Sequence, residues 1–490
     1  MSQTVEARLA RTLREVFQLE RLRPGQEAVI RSVLAGRHTI AIMPTGAGKS
    51  LCYQLPGLLL PGMTVVVSPL IALMKDQHDK LRRLGVPVAQ VNSALPAAET
   101  AEARAAIASG QSAFTFVTPE QLGTPAFEQS IRGKRIDLLV VDEAHCISQW
   151  GHDFRPSCLE ITGTLERLGR PPVLALTATA PDSVLADITR VLSLERPAVL
   201  NTGLYRPNLN LAVRQVSGDE DKLRQIVDLV HGIDGPAIVY AATIPHVELV
   251  HRVLQQEGRS AVRYHGRLPS RERREAQDAF MSGAAQVVVA TNAFGLGIDK
   301  PDVRLVAHYD LTPSLEAYYQ EAGRAGRDGE AASCALLFQR SDRSIQAFLM
   351  AGRYPPGEHF ARVWHALESL DSRSGRVSFG DVQHAVPDMT RNALRVVLAA
   401  LKASGLITDR RTRGLRAAPH ATAAAVGEIQ SSYERRADRD RELLDQMIVY
   451  GQTARCRWKV ILDYFGEAQE WERCGSCDSC LGTAERAVAR

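Results

Sequence analysis

The sequence predicts two tandem α/β domains, each built on a parallel sheet, followed by a mainly helical segment and a cysteine-rich module. Three observations carry that prediction. Short Val/Ile/Leu runs alternate with helical stretches over residues 38–215, and the alternation resumes over residues 237–338. Four of the eight cysteines, Cys456, Cys474, Cys477 and Cys480, then gather near the end, while Cys52, Cys146, Cys158 and Cys334 are scattered.

In chain order, His38–Met43, Thr64–Val67, Phe114–Val117, Leu138–Val141, Val173–Leu176 and Leu209–Val213 read as strands of the first set. Helical patterns over Lys49–Leu60 and Leu70–Leu84 lie between them. Apolar runs bounded by helices imply strands buried on both faces, hence a parallel sheet. The polar stretch Ser217–Asp221 marks a boundary. Ala237–Ala241, Ala261–Tyr264, Gln286–Thr291, Val303–His308 and Cys334–Phe338 form the second set. After Phe338 the long strands stop. Phe360–Leu370, a helix opened by Ser378 and a third from Thr390 to Ser404 precede two short strands at Leu406–Thr408 and Leu415–Ala417, a winged-helix order. A charged helix over Tyr433–Ile448, read as a surface spacer, leads into the cysteines. The expected domains are 1–215, 216–345, 346–420 and 421–490.

Composition excludes several classes. Across 490 residues, 59 Lys and Arg stand against 55 Asp and Glu, a net charge of +4, so this is no histone-like polycation. The apolar fraction of 45% excludes disorder as the dominant state. Eight cysteines are too few for a disulfide scaffold of this size. Glu6, Arg8, Arg11, Arg14, Glu15 and Glu20 interrupt any secretory signal. The uncharged run Ser50–Met74 is broken by Pro56, Pro61 and Pro69, which argues against a membrane span. The expected location is the cytoplasm, in association with the nucleoid.

Chemistry concentrates in four places. Met43-Pro44-Thr45-Gly46-Ala47-Gly48-Lys49-Ser50 follows the first strand and opens a helix, the pattern of a phosphate-binding loop. Lys49 would reach the β- and γ-phosphates and Ser50 would hold Mg²⁺. The strict pattern wants glycine where Met43 stands. Second, the strand Leu138–Val141 ends in Asp142-Glu143-Ala144-His145, which puts carboxylates at the mouth of the sheet. Asp142 would bind Mg²⁺ and Glu143 would polarise the attacking water. Third, Gln320–Arg327 places Arg324 and Arg327 three apart, on one face of a helical turn, where guanidinium groups suit a phosphoryl transition state. Fourth, the four clustered thiols fit structural Zn²⁺; a redox dithiol and an iron–sulfur cluster are the alternatives.

Taken together, Leu22-Arg23-Pro24-Gly25-Gln26, Thr45–Ser50, Asp142–His145, Thr177-Ala178-Thr179 and Gln320–Arg327 resemble superfamily 2 helicase motifs in order. The run Asp142–Pro156 resembles the motif II and aromatic-rich loop of RecQ DNA helicases, and Thr291–Lys300 resembles their motif V. The cysteine spacing, with Tyr464-Phe465-Gly466-Glu467, is similar to their zinc module. The match covers about residues 10–345 and the cysteine segment.

The resemblance implies two RecA-like lobes that close on ATP and Mg²⁺, with Zn²⁺ in the cysteine module. It implies Arg23, Gln26, Thr45, Gly46, Gly48 and Gln320 as further nucleotide contacts, with Gln26 reading adenine. It implies Ser68, Pro69, Thr291 and Asn292 as DNA contacts, and Trp150, His152, Phe154 and Arg155 as the loop that couples DNA to hydrolysis. Aromatic and guanidinium faces stack on unpaired bases of any sequence, which suits that role. The implied activity is 3′→5′ unwinding of tailed or forked duplexes in repair and recombination, with protein partners unknown. The long RecQ order puts zinc directly after the second lobe. Here about 100 residues intervene before Cys456 and ten follow Cys480, so a short variant without an HRDC domain is expected. In the intervening stretch, Arg391, Arg395, Lys402, Arg410, Arg411, Arg413 and Arg416 face one acid, Asp409. Arg410, Arg411 and Arg413 would grip duplex phosphates or wedge a fork. An RNA helicase is the nearest alternative, and a nucleotide-gated scaffold without unwinding the alternative from another class.

Overall fold

The computed structural model describes residues 3–148, 158, 160–295, 300–374, 377–410 and 414–482. Among them the first lobe carries β1 (Thr39–Ile42), β2 (Met63–Val67), β3 (Val88–Val91), β4 (Phe114–Val117), β5 (Ile136–Val141), β6 (Val173–Thr177) and β7 (Ala198–Asn201). They form one sheet in the order β3-β4-β2-β5-β6-β1-β7, every paired neighbour parallel. β1, β2, β4 and β6 are buried along their whole length, which a sheet covered on both faces requires. Val29, Val33, Met43, Cys52, Tyr53, Val66, Phe114 and Phe116 pack into its core. Each such side chain contributes roughly 1.5–3 kcal/mol by leaving water.

The second lobe carries β8 (Leu209–Gln215), β9 (Ala237–Tyr240), β10 (Ala261–Tyr264), β11 (Val287–Ala290), β12 (Leu305–His308) and β13 (Ala332–Phe338), in the order β10-β11-β9-β12-β13-β8. This corrects one expectation. The strand at 209–213 belongs to the second sheet and not the first. The edge beside β1 is taken by β7, whose half-exposed pattern hid it from the sequence reading. β8 lies instead beside β13, next to the bond from Ala332 N to Asn208 O at 3.0 Å. The short β3, Val-Ala-Gln-Val, was also missed, because its alternation with a polar residue is weak.

The chain divides into two compact units. One holds both sheets together with Glu316–Leu337 and the segment from Ala454 onward; the other is Asp310–Leu315 with Phe338–Thr453. The second unit has its own core, in which Phe360, Trp364, Val382, Leu394, Leu401 and Val426 are buried. Ser378 caps the helix Phe379–Ala385 with a full capping box, and Thr390 caps the helix Arg391–Ala403 through Ala393 N. β14 (Ile407–Arg410) and β15 (Gly414–Ala417) then pair antiparallel, Arg410 opposite Gly414. Leu415 N also donates to Val377 O at 2.8 Å.

The charged helix is longer than expected, Ala423–Gln452, and it is no mere spacer. Val426, Ala437, Leu444, Met447 and Tyr450 are buried, and the Tyr433 ring lies 5.1 Å from that of Phe360. Among the described residues, no helix is long and apolar enough to cross a membrane.

Candidate functional site

The phosphate loop leaves the C-terminal end of β1, and the acidic pair leaves that of β5. β6 lies between them and all three are parallel, so their ends open on one side of the sheet. There Lys49 Nζ stands 3.8 Å from Glu143 Oε1. His145 Nδ1 lies 3.4 Å from Glu143 Oε2 and 3.2 Å from Thr177 Oγ1 at the end of β6. Thr177 thereby links the acidic turn to the Thr177-Ala178-Thr179 motif, its hydroxyl donating to Thr179 O at 2.8 Å.

Gly46 and Gly48 take φ of 87° and 77°, open to glycine at little cost. A Cβ on Gly48 would stand 2.5 Å from Gln26 Nε2. Met43, where the strict pattern has glycine, is wholly buried against Cys52 Sγ at 3.7 Å, so it completes the core of the lobe and not the loop. Glu143 sits at φ 50° and ψ 49°. That left-handed conformation costs a non-glycine residue about 1–2 kcal/mol, strain of the kind that collects at functional sites. The buried Asp142 carboxyl is pushed up to about 7, by burial first and then by the Glu143 charge, with Lys49 opposing.

A cavity of about 510 Å³ joins these groups. The first lobe lines it with Arg23, Gln26, Thr45, Gly46, Gly48, Lys49, Ser50, Asp142 and Glu143, and the second with Gly295, Gln320, Arg324 and Arg327. Every residue assigned to the nucleotide from sequence therefore reaches one space. Two details differ from expectation. Arg324 and Arg327 follow the helix Leu315–Ala322 in a chain of turns instead of sharing a helical face, and Gly326 at φ 53° belongs to those turns. Arg324 donates to Gly295 O, and Arg327 lies over Gly46. The Gln26 amide is engaged with the phosphate loop itself, donating to Ala47 O and Gly48 O, both at 3.0 Å, and accepting from Arg23 N at 2.8 Å. Sequence reasoning missed Phe17, Leu19, Arg21, Leu70, Leu73, Gln77 and Lys80, which line the same cavity. No motif marks them; only the helical periodicity of residues 71–83 places some of them on one face.

The residues assigned to DNA fare unevenly. Ser68 and Pro69 follow β2, but Ser68 is buried and its hydroxyl accepts from Leu70 N at 3.4 Å, so it shapes a turn and offers no exposed group. Thr291 and Asn292 follow β11, Thr291 half-buried and Asn292 exposed. Trp150, His152, Phe154 and Arg155 lie outside the described residues, as do Arg411 and Arg413. Arg410 closes β14. Nearby, Arg391 and Arg395 lie over the Phe379 ring at 5.9 and 6.0 Å, and Arg416 pairs with Asp371 at 3.4 Å.

The four clustered cysteines meet. Their Sγ atoms all lie within 4.8 Å of one another. Cys456–Cys477 and Cys474–Cys480 are each separated by 3.9 Å. Tetrahedral zinc with bonds of about 2.3 Å needs sulfurs about 3.8 Å apart, so the donor set and its dimensions fit. Cys456 stands at the N-cap of the helix Arg457–Tyr464. Backbone N–H groups already point at sulfur: Cys474 N at Cys456 (3.3 Å), Arg457 N at Cys477 (3.4 Å) and Cys477 N at Cys474 (3.4 Å). Burial raises the Cys456 and Cys477 thiols. At Cys474 burial also raises, but bonds from Ser476 and Cys477 outweigh it and hold the thiol down at about 7. Side chains from this segment fasten onto the second lobe. Trp458 Nε1 donates to Leu209 O at 3.1 Å, and Asp478 accepts from Val213 N at 2.8 Å.

Three family models match the chain: DEAD/DEAH box helicase over residues 23–188, helicase conserved C-terminal domain over 221–329, and RecQ zinc-binding over 422–481. The probable ATP-dependent DNA helicase RecS of Bacillus subtilis is 39% identical over 371 residues, which are 75% of this chain and 74% of that protein. The ATP-dependent DNA helicase RecQ of the same organism is 36% identical over 474 residues, 96% of this chain and 66% of its own length. The chain spans about half of the Pasteurella multocida RecQ, 52%, at 41% identity. Among solved structures, the Mycobacterium smegmatis helicase Lhr bound to ssDNA and AMP-PNP aligns with a TM-score of 0.56 at 22% identity, over 91% of this chain and 62% of that one. The helicase MrfA bound to DNA aligns with a TM-score of 0.58 at 18% identity, over 87% and 60%. These two likenesses establish the shared fold.

Proposed function

The chain belongs to the RecQ family of ATP-dependent DNA helicases, and from that premise we propose that it moves 3′→5′ along single-stranded DNA, unwinds tailed or forked duplexes, and serves repair and recombination. The observation that carries the reading is the single cavity into which one lobe brings Lys49 and Glu143 and the other brings Arg324 and Arg327. A space lined by both lobes can open and close with the phosphorylation state of its occupant, which is what a translocating motor needs.

In this reading Lys49 neutralises the β- and γ-phosphates of ATP, and Arg324 and Arg327 meet the charge that develops on the transferred phosphoryl group. Ser50 and Asp142 offer hard oxygen donors that suit Mg²⁺, which would supply charge neutralisation there. Glu143, held by its fixed backbone and by His145, orients the attacking water. Gln26 reads adenine by exchanging its bonds to the phosphate loop for the base edge, which couples base recognition to loop shape. The four thiolates hold Zn²⁺ as a structural ion. Thr291, Asn292 and the chain around Pro69, at the strand ends, contact the DNA track. Trp150, His152, Phe154 and Arg155 are assigned to unpaired bases on their residue types. Residues 346–420 act as a winged helix whose Arg410, Arg411 and Arg413 face duplex phosphates.

A strand-displacement assay on 3′-tailed and 5′-tailed duplexes tests this. The expected outcome is ATP- and Mg²⁺-dependent unwinding of the 3′-tailed substrate, abolished by Lys49→Ala with DNA binding kept. Unwinding by Lys49→Ala sinks the assignment of the ATP site, and equal unwinding of both substrates sinks the polarity. Stronger ATPase stimulation by single-stranded RNA than by DNA would favour an RNA helicase.

A further inference from the structure

Arg206 belongs to no motif read from the sequence, yet it is 9% exposed in the connection between β7 and β8. Its guanidinium bonds to main-chain carbonyls from both lobes. Nη1 donates to Thr45 O at 3.2 Å and Gly323 O at 2.8 Å, and Nη2 donates to Ala325 O at 2.9 Å and Gly326 O at 2.6 Å. Thr45 opens the phosphate loop; Gly323–Gly326 is the turn that carries Arg324 and precedes Arg327. A single planar fork thus spans the two loops that must meet across the nucleotide.

Fold stability alone gives little reason for this arrangement. A cation buried on carbonyl dipoles carries a desolvation cost that a well-packed apolar side chain of similar volume would avoid. Burial also draws the group's pKa below its usual value. The connection is fastened along its length. Tyr319 Oη donates to Leu204 O at 2.9 Å, and Leu204 N donates to Glu467 at 2.6 Å. The Tyr205 ring lies 5.2 Å from Trp458 and 5.0 Å from Trp471. The cysteine-bearing segment therefore braces the stretch from which Arg206 reaches.

We propose that Arg206 is a positioning residue, which sets the 323–327 turn against the phosphate loop so that Arg324 and Arg327 reach the γ-phosphate as its bond breaks. The inference rests on the ATPase reading above. Lysine cannot replace it, because a single ammonium cannot span four carbonyls in a fixed plane.

The test uses the full chain with single-stranded DNA, comparing wild type with Arg206→Ala, Arg206→Lys and Arg206→Ala in an Arg327→Ala background. Misplacement of catalytic groups predicts a kcat loss of roughly 10- to 100-fold in both Arg206 single variants, with KM for ATP changed no more than about threefold. Affinity for ADP should hold, while affinity for ADP with aluminium fluoride should fall by a similar factor. In the Arg327→Ala background, Arg206→Ala should cost clearly less than it does in wild type, because part of its effect runs through Arg327 and only the part through Arg324 remains. Equal losses for ADP and for the transition-state mimic, full activity in Arg206→Lys, or additive losses in the double variant would overturn the proposal. Wild type that fails to hydrolyse ATP would instead overturn the ATPase reading itself. If Arg206→Ala does not fold, Arg206→Lys, which keeps charge and most of the volume, decides.

Discussion

The phosphate cavity and the cysteine cluster are assembled in opposite ways. Lys49 and Arg327, which line one cavity, are separated by most of two lobes in sequence, and the groups between them arrive from β1, β5, β6 and the turns after the helix Leu315–Ala322. Cys456 to Cys480 span a single short segment whose own backbone N–H groups already point at the sulfurs. A site built from distant strand ends depends on parallel register and on a brace such as Arg206. A site built locally depends on its ion. The first should lose chemistry without losing fold; the second should lose fold first.

The sharpest way to break that contrast is Glu143→Gln. It should lower DNA-stimulated kcat by about 10²–10⁴-fold, as expected for losing a group that orients the attacking water, while ADP affinity and melting temperature stay near wild type. A large stability loss in this variant would blur the distinction. The converse variant is Cys477→Ser. Bound zinc should fall well below one per chain, and the segment from Ala454 should become open to protease while both lobes stay folded, because metal binding and local folding are one equilibrium. Metal analysis and limited proteolysis read this directly, and retention of zinc would refute the ligand set.

The smallest effect concerns pH. The Asp142 carboxyl is raised from 3.8 to about 7 in the folded chain, so the folded state binds more protons than the unfolded state across that interval. Stability measured without added Mg²⁺ should therefore fall as pH rises between those two values, and Asp142→Asn should flatten the slope. An unchanged slope would mean that other groups dominate it.

Much of the cavity was legible because a phosphate loop and an acidic strand end need particular residues at particular backbone positions. Gly46, Gly48, Lys49 and Glu143 are such cases. Met43 illustrates the limit: where the pattern wants glycine, the fold needed a core side chain. Leu73, Gln77 and Lys80 were not legible, because an amphipathic helix face looks the same whether it faces core or ligand. Arg206 was not legible either, since its partners are backbone carbonyls, which no side-chain pattern records. The strand at 209–213 was placed in the wrong sheet because periodicity tells burial and not which edge is free. The cysteine segment looked displaced by about 100 residues, yet Trp458 and Asp478 bring it back onto the second lobe.

The sequence by itself determined the two parallel sheets, the phosphate-loop pattern and the four clustered thiols, because each follows from local residue types and their periods. Tertiary structure alone decided that β8 joins the second sheet, and that the cysteine segment packs on the second lobe and braces the connection bearing Arg206. Those outcomes rest on contacts between residues far apart in the chain, whose complementarity of shape and hydrogen bonding no local pattern encodes.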